Sequence, residues 1–175
     1  PHAGHRELVK RALVQLRLSR VDVLVSPQNP LKAAGAYAPL EQRLKETRAV
    51  FARMPRVRVA QEASEAPALA VPTLKPLKLK NHPDRLVYLL GADSFADLHR
   101  WYRWRELAER IPLAVFSRPG VDLAALKSPA ARKLRNHRLP PQAAHRLAYA
   151  ATPAWCFLPG LHRPESSTAL RRERA

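Results

Sequence analysis

Short apolar runs alternate with stretches of helical periodicity along this chain of 175 residues. The runs at 21–25, 86–90, 113–116 and 154–158 suit buried strands, and 56–60 is a weaker alternating strand. Strands that alternate with helices predict an α/β fold, in which a parallel sheet carries helices on both faces. Ligands of such sheets bind beyond the carboxyl ends of the strands, so the loops that follow the strands are the expected site.

The helices are predicted from apolar residues spaced three and four positions apart. One opens near His5, a second is the stripe from Leu40 to Phe51, a third surrounds Trp104, two basic helical stretches fill 123–151, and a last helix covers 166–174. The length and the pattern together predict a single domain over 1–175.

The net charge of the chain is +17, because Lys and Arg number 31 against 14 Asp and Glu. Such an excess predicts a polyanionic partner, either nucleic acid or a small molecule with several phosphates. The single cysteine, Cys156, excludes a disulfide framework and a Cys-rich zinc site; it fits a reducing, cytoplasmic compartment and reads as a core residue. Since no apolar run approaches the ~20 residues of a membrane helix, we expect no membrane partner.

Two segments have the pattern of phosphate sites at helix starts. His2-Ala3-Gly4-His5 places two imidazoles beside free helical N–H groups, an arrangement that suits an anion; two exposed histidines are the alternative, and a metal site is weakly supported. Near the other end of the chain, the hydroxyls of Ser167 and Thr168 begin a helix, and Arg171 lies about one turn further on. The alternative interpretation of the same residues is an ordinary capped helix without a ligand.

Two further candidates follow the strand at 86–90. Gly91 and Asp93 come directly after it, where a carboxylate can bind a ribose or a metal-bound water; the alternative is that Asp93 or Ser94 caps a helix. In the segment 99–104, Trp101 or Tyr102 can stack on a planar ring, whereas Trp104 is expected in the core.

Two basic features carry weaker signals. Lys32, in a Pro-rich loop, can reach a phosphate, although a solvated lysine is the commoner interpretation. The basic stretch 132–138 is either a solvated helix face or an anion-binding segment.

Taken in order, these segments resemble the bacterial nicotinate-nucleotide adenylyltransferases of the HxGH nucleotidyltransferase superfamily. The segments that carry the resemblance are 1–5, 26–32, 91–95, 99–107, 117–120 and 166–171. The resemblance implies a Rossmann-like fold and adenylyl transfer from ATP to nicotinate mononucleotide, with Mg²⁺ held through the phosphates of ATP. It also implies direct in-line attack of one substrate on the other, without a covalent enzyme intermediate.

The resemblance assigns expected roles residue by residue. His2 and His5 match the histidines on the ATP phosphates, and Gly91 and Asp93 match the adenosine side. Trp101 matches the aromatic that stacks on nicotinate. The remaining expected contacts are Ser167, Thr168 and Arg171 with the β- and γ-phosphates of ATP, and Tyr102 and Lys32 on the acceptor side.

Two departures from the family pattern limit what carries over. Family members have a strand and a Gly-rich loop before HxGH, and this sequence begins at Pro1. We therefore expect the first strand to be missing here, and the 175 residues alone not to form the whole active site. The segment 69–74 matches the family only at Thr73 and Leu74, so selectivity for nicotinate over nicotinamide does not follow from it.

Two alternative functions remain open. One is transfer to another phosphorylated acceptor, such as pantetheine phosphate. The other is a non-enzymatic nucleic-acid-binding domain that uses the basic helices of 130–146. The motif order favours ATP and nicotinate mononucleotide as partners over nucleic acid.

Overall fold

The helices and strands alternate along the chain as the apolar pattern predicts. The computed structural model describes residues 3–25, 38–61 and 85–160. In chain order the elements are α1 (Ala3–Gln15), β1 (Val21–Val25), α2 (Leu40–Phe51), β2 (Val57–Gln61), β3 (Tyr88–Gly91), α3 (Ala92–Ala96), α4 (Trp104–Arg110), β4 (Leu113–Phe116), α5 (Asp122–Leu126), α6 (Pro129–Lys133), β5 (Arg138–Leu139) and β6 (Trp155–Leu158). Short 3₁₀ segments lie at Leu98–Arg100, Arg135–His137 and Pro141–Tyr149.

The strands of the described residues lie in two parallel ladders. β1 pairs with β2 in the first sheet, and the second has the order β3-β4-β6-β5. Within the described residues, no ladder joins β1 to β3. The predicted parallel α/β architecture with helices is confirmed.

Helices cover both faces of the four-stranded sheet, as expected. On one face, Leu113, Val115, Trp155 and Phe157 pack against α3, α4, α5 and α6. The opposite face of β4 and β6 packs against α1 and the 3₁₀ segment Pro141–Tyr149. Strands buried on both faces read as continuous apolar runs, which is why β4 and β6 were predicted well.

Trp155 anchors the first of these faces. Its ring stacks on Phe95 with centroids 4.8 Å apart, and its Nε1–H donates to the Leu134 carbonyl at 2.8 Å. The same tryptophan therefore ties α3 to the segment that leads into β5. Cys156, next to it, is fully buried in β6, which confirms it as a core residue.

The basic region 123–151 differs from the prediction of two helical stretches. It contains the short helices α5 and α6, two 3₁₀ segments and the strand β5. Prolines at 129, 140 and 141 account for the breaks, because proline lacks the N–H that continues a helix. The segment 132–138 is thus part of a helix, a 3₁₀ turn and an edge strand, and the expectation of one solvated helix face is wrong.

None of the helices in the described ranges has the length and apolar content to cross a bilayer. The predicted last helix, 166–174, lies outside those ranges.

Candidate active site

Three strand ends lie side by side at one edge of the four-stranded sheet. The register places Gly91, Phe116 and Leu158 in one row, at the carboxyl ends of β3, β4 and β6. The Ser117 N–H donates to the Leu158 carbonyl at 3.0 Å, so the row continues one residue past the strands. The residues that follow these ends are therefore neighbours, as the site rule for parallel sheets requires.

Gly91 and Asp93 meet at this edge. Gly91 has ordinary extended backbone, with φ −76° and ψ 157°, so its lack of a side chain matters for space rather than for conformation. A Cβ atom there would overlap Asp93 Oδ1 and lie 3.2 Å from Arg118 Nε. Glycine thus lets a carboxylate and a guanidinium approach the end of β3 together.

The Asp93 carboxylate is available to a ligand. Asp93 is the second residue of α3, and its side chain is 54% exposed. The N-cap of α3 is Gly91, which makes no side-chain capping bond. The alternative in which Asp93 or Ser94 caps this helix is therefore wrong.

Arg118 is a further site candidate; it belongs to the segment 117–120 that carries the resemblance, but no role was assigned to it from the sequence. Its Nε lies 3.6 Å from Asp93 Oδ1, and its side chain is only 11% exposed. The backbone N–H of Arg118 donates to Asp122 Oδ1 at 2.7 Å, and this bond closes the loop that holds the arginine. The signal that could have found it is its position, two residues beyond the end of β4, because the same rule selected Asp93 beyond β3.

The start of α1 carries His5. His5 lies in the first turn of α1, after the buried Gly4. Arg11, six residues further on, reaches the end of β6, where its Nη2 donates to the Pro159 carbonyl at 2.8 Å. Six residues correspond to about 9 Å along a helix, so α1 begins within reach of the edge at which β6 ends.

The aromatic segment after α3 is split between core and surface. Trp104 is buried in the core, as predicted. Trp101 is half-buried and packs against the same apolar cluster. Tyr102 is 61% exposed. A planar-ring platform at this place therefore consists of Tyr102 and the accessible part of Trp101.

An ion-pair cluster holds that segment in place. Arg103, next to Tyr102, has a positive φ of 54°, a conformation that is unfavourable for a side chain of this size. Its Nε lies 2.5 Å from Glu106 Oε2, and Arg110 Nη2 lies 2.5 Å from Glu106 Oε1. Glu106 thus fixes the turn that presents Tyr102.

The structure brings Gly91 and Asp93 together at the sheet edge, with Arg118 as a third member. Tyr102 and Trp101 lie on the same chain segment about ten residues later, and His5 belongs to α1. The predicted site residues outside the described ranges are His2, Lys32, Ser167, Thr168 and Arg171.

The chain matches a known family over nearly its whole length. The model of the family described as cytidylyltransferase-like covers residues 1–174. The chain belongs to the cytidylyltransferase-like family. Membership of this family agrees with the parallel α/β fold.

Relatives within this family confirm the resemblance stated above. The chain is 43% identical to a probable nicotinate-nucleotide adenylyltransferase of Ruegeria pomeroyi, over 98% of its own length and 80% of the relative. It is 44% identical to a probable nicotinate-nucleotide adenylyltransferase of Cereibacter sphaeroides, over 98% of the chain and 90% of that protein. A protein of the same description from Bradyrhizobium is 41% identical, with 98% and 89% covered.

Proposed function

We propose that this protein transfers the adenylyl group of ATP to nicotinate mononucleotide, which yields nicotinate adenine dinucleotide and pyrophosphate. The observation that carries the proposal is the row of strand ends at Gly91, Phe116 and Leu158, with the Asp93–Arg118 pair beside it. The descriptions of the relatives support this acceptor.

In the proposed reaction a phosphate oxygen of the mononucleotide attacks the α-phosphorus of ATP in line. The new P–O bond forms as the bond to the bridging oxygen of pyrophosphate breaks, so no protein nucleophile is required. The task of the protein is to align two anions and to stabilise the charge that develops between them. The proposed donors to the phosphates are His5 in the first turn of α1, together with His2 and Arg171.

The Asp93–Arg118 pair offers the nucleotide both kinds of hydrogen-bonding group. A carboxylate accepts bonds from ribose hydroxyls, and a guanidinium donates to phosphate or ring acceptors. Because Gly91 has no side chain, a nucleotide can approach the backbone at the end of β3. We assign the adenosine half of ATP to this place.

Mg²⁺ is part of the proposal as an ion held through the phosphates of ATP. Mg²⁺ usually keeps several waters and binds through substrate phosphates with one or two carboxylates. The exposed carboxylate of Asp93 is the proposed protein group nearest to such an ion. When bound, the ion would neutralise phosphate charge.

Nicotinate mononucleotide is proposed to lie against Trp101 and Tyr102, with Lys32 near its phosphate. The segment 69–74, which departs from the family pattern, lies outside the described residues. A cytoplasmic location belongs to the same proposal and rests on the single cysteine.

The test is an assay of the purified full-length protein with ATP, Mg²⁺ and one acceptor at a time. We expect dinucleotide and pyrophosphate to appear in equal amounts with nicotinate mononucleotide. Nicotinamide mononucleotide and pantetheine phosphate, run in parallel, measure acceptor choice. No dinucleotide from either pyridine nucleotide would refute the proposal, and turnover of pantetheine phosphate alone would replace it.

An arginine variant tests the phosphate side. Loss of a charged hydrogen bond costs about 1.5–3 kcal/mol, so Arg171→Ala should raise the KM for ATP by roughly 10- to 100-fold. Arg100→Ala is the control, because the pair that Arg100 forms with Asp97 at 3.6 Å is exposed to solvent. An unchanged KM for ATP would remove Arg171 from the site.

A further inference from the structure

One stretch of positive charge that no acidic residue of the same stretch offsets lies away from the candidate active site. Between residues 123 and 160 there are six Lys and Arg residues and no Asp or Glu. Five cationic or titratable side chains in this region form what we call the basic edge, and all are exposed: Arg132, Lys133, Arg135, His137 and Arg138. None of the five has an acidic partner within the residues that the structure describes.

The basic edge lies at the amino-terminal end of the four-stranded sheet. Arg138 begins β5, the outermost strand, and is paired in register with Trp155, the first residue of β6. Trp155 is paired in turn with Leu113, and Leu113 with Tyr88. These residues are the first of β4 and β3, so the row marks the amino-terminal end of the sheet. The candidate active site lies beyond the opposite, carboxyl ends of β3, β4 and β6. These cations therefore do not serve the phosphates of the proposed substrates.

Arg138 is held in a fixed position at this edge. Its guanidinium carbon lies 5.1 Å from the centroid of the Trp155 ring and 5.9 Å from that of Phe157. Trp155 is itself fixed by its stack on Phe95 and its bond to Leu134. A guanidinium held on a rigid ring loses little side-chain entropy when it binds an anion.

An exposed aromatic side chain also lies at the amino-terminal end of the sheet, on the 3₁₀ segment Pro141–Tyr149, which covers the face opposite to α6. Tyr149, six residues before β6, is 68% exposed, and the Arg85 guanidinium lies 4.3 Å from the centroid of its ring. Arg85 precedes β3 by three residues, so this pair belongs to the β3 side of the edge. Three strand spacings of about 4.8 Å separate β5 from β3, which is about 14 Å. One exposed acid, Glu109, reaches this end, where its carbonyl accepts from Thr152 Oγ1 at 2.6 Å.

We propose that the basic edge, with Tyr149, is a second binding surface that takes single-stranded nucleic acid. Its cations would contact successive phosphates, and a base would stack on the Tyr149 ring that Arg85 supports. Strands without sequence preference are bound by this combination of a cationic track and an aromatic face. An anionic bilayer fits less well, because 132–138 exposes no large apolar side chain.

The proposal departs from the expectation, drawn from the order of the motifs, that nucleic acid is an unlikely partner. Its basis is the position of the basic edge in the fold, which the total charge of the chain does not give. Adenylyl transfer and strand binding use opposite ends of one sheet and can coexist in the same molecule.

The test compares two triple variants of equal charge change. One neutralises the basic edge (Arg132→Gln, Lys133→Gln, Arg135→Gln), and the control neutralises exposed cations in and just after α2 (Lys45→Gln, Arg48→Gln, Arg53→Gln). Fluorescence anisotropy with 20-nucleotide RNA and DNA of one sequence is measured over a salt series. Circular dichroism and adenylyl transfer report whether each variant is folded.

We expect the basic-edge variant to bind both oligonucleotides about tenfold more weakly or worse, and the α2 variant to change binding less than twofold. Three lost phosphate contacts should also reduce the slope of log K against log salt by about 2. Tyr149→Ser should weaken binding of the single strands by about fivefold or more and leave binding of a 20-base-pair duplex unchanged. Adenylyl transfer should persist in the basic-edge variant, so the two proposals can fail separately.

Four outcomes would overturn the proposal. They are equal weakening in both triple variants, no measurable affinity of the parent protein at low salt, tighter binding of the duplex than of the single strands, and binding of phosphatidylserine vesicles without binding of either oligonucleotide.

Discussion

The guanidinium of Arg118 lies 3.6 Å from the carboxylate of Asp93, across the carboxyl ends of two neighbouring parallel strands. Each residue stands two positions beyond its own strand, β4 for Arg118 and β3 for Asp93. Because Gly91 has no Cβ, the two side chains meet directly over the end of β3. The pair places opposite charges at the edge where a nucleotide is proposed to bind.

Gly91→Ala should damage nucleotide binding with little effect on folding. The new methyl group would displace the Asp93 carboxylate, whereas the backbone conformation of Gly91 suits any residue. We expect the KM for ATP to rise about tenfold, corresponding to one lost hydrogen bond, with a thermal midpoint that is nearly unchanged.

Gly120→Ala is the matched control for that substitution. Gly120 has a φ of +79° and open space around its missing Cβ. Alanine there should lower the free energy of unfolding by about 1–2 kcal/mol and leave the KM for ATP unchanged. A larger KM effect at Gly120 than at Gly91 would contradict the assigned site.

Arg118→Gln should lower kcat/KM for ATP about tenfold or more. The substitution keeps much of the side-chain volume but removes a mostly buried cation, and charged hydrogen bonds are worth about 1.5–3 kcal/mol. Arg100→Gln removes an arginine from an exposed pair and should change kcat/KM by less than twofold. Steady-state kinetics of the two variants decide this, and equal behaviour would exclude Arg118 from nucleotide binding.

Glu106→Gln should affect the acceptor rather than ATP. Glu106 pairs with Arg103 and Arg110, and Arg103 is next to Tyr102. Loss of the two partly exposed pairs should cost about 1 kcal/mol of stability. The KM for nicotinate mononucleotide should rise several-fold while that for ATP stays constant, and Glu109→Gln, an exposed acid on the same helix, serves as control. A parallel rise in both KM values would show a general structural defect.

Cys156 should make stability fall in alkaline solution. Burial raises the pKa of its thiol from 9.0 to about 11, with the nearby Arg138 acting in the opposite direction. Between about pH 9 and 11 the unfolded chain loses this proton while the folded chain keeps it. The contribution of this thiol to the free energy of unfolding is therefore fully present below pH 9. It declines towards pH 11 by an amount on the order of 2 kcal/mol.

The measurement is urea unfolding at several pH values, with Cys156→Ala as the reference that removes the contribution of this thiol. Lys and Tyr residues titrate in the same range in both proteins, so only the difference between the two curves is informative. Identical slopes from pH 8.5 to 10.5 would show that the thiol has the same pKa in both states.

The sequence predicted the elements whose side chains all face the core. Residues 113–116 were placed exactly where β4 lies because all four are apolar and buried on both faces. The strand β5 was missed because it has only two residues, and its existence depends on pairing with Trp155 and Cys156. A pairing between residues 17 positions apart leaves no local pattern in the sequence.

The site was predicted in part, for a related reason. Asp93 and Gly91 were found because both follow an apolar run directly. Arg118 follows another such run, but its closeness to Asp93 depends on the order of β3 and β4 in the sheet, which sequence periodicity does not determine. The basic edge was visible as a charge run, and only the register of β5 places it opposite the active-site edge.

The burial of the strands has a consequence for the order in which they open. No residue of β2 is buried and β1 is buried only at its two ends, whereas every residue of β4 and β6 is buried. In the described part of the chain, side chains in an apolar cluster that includes Phe51, Met54 and Leu89 join β1 and β2 to the other strands. We therefore expect the amides of β1 and β2 to exchange with solvent before those of β4 and β6.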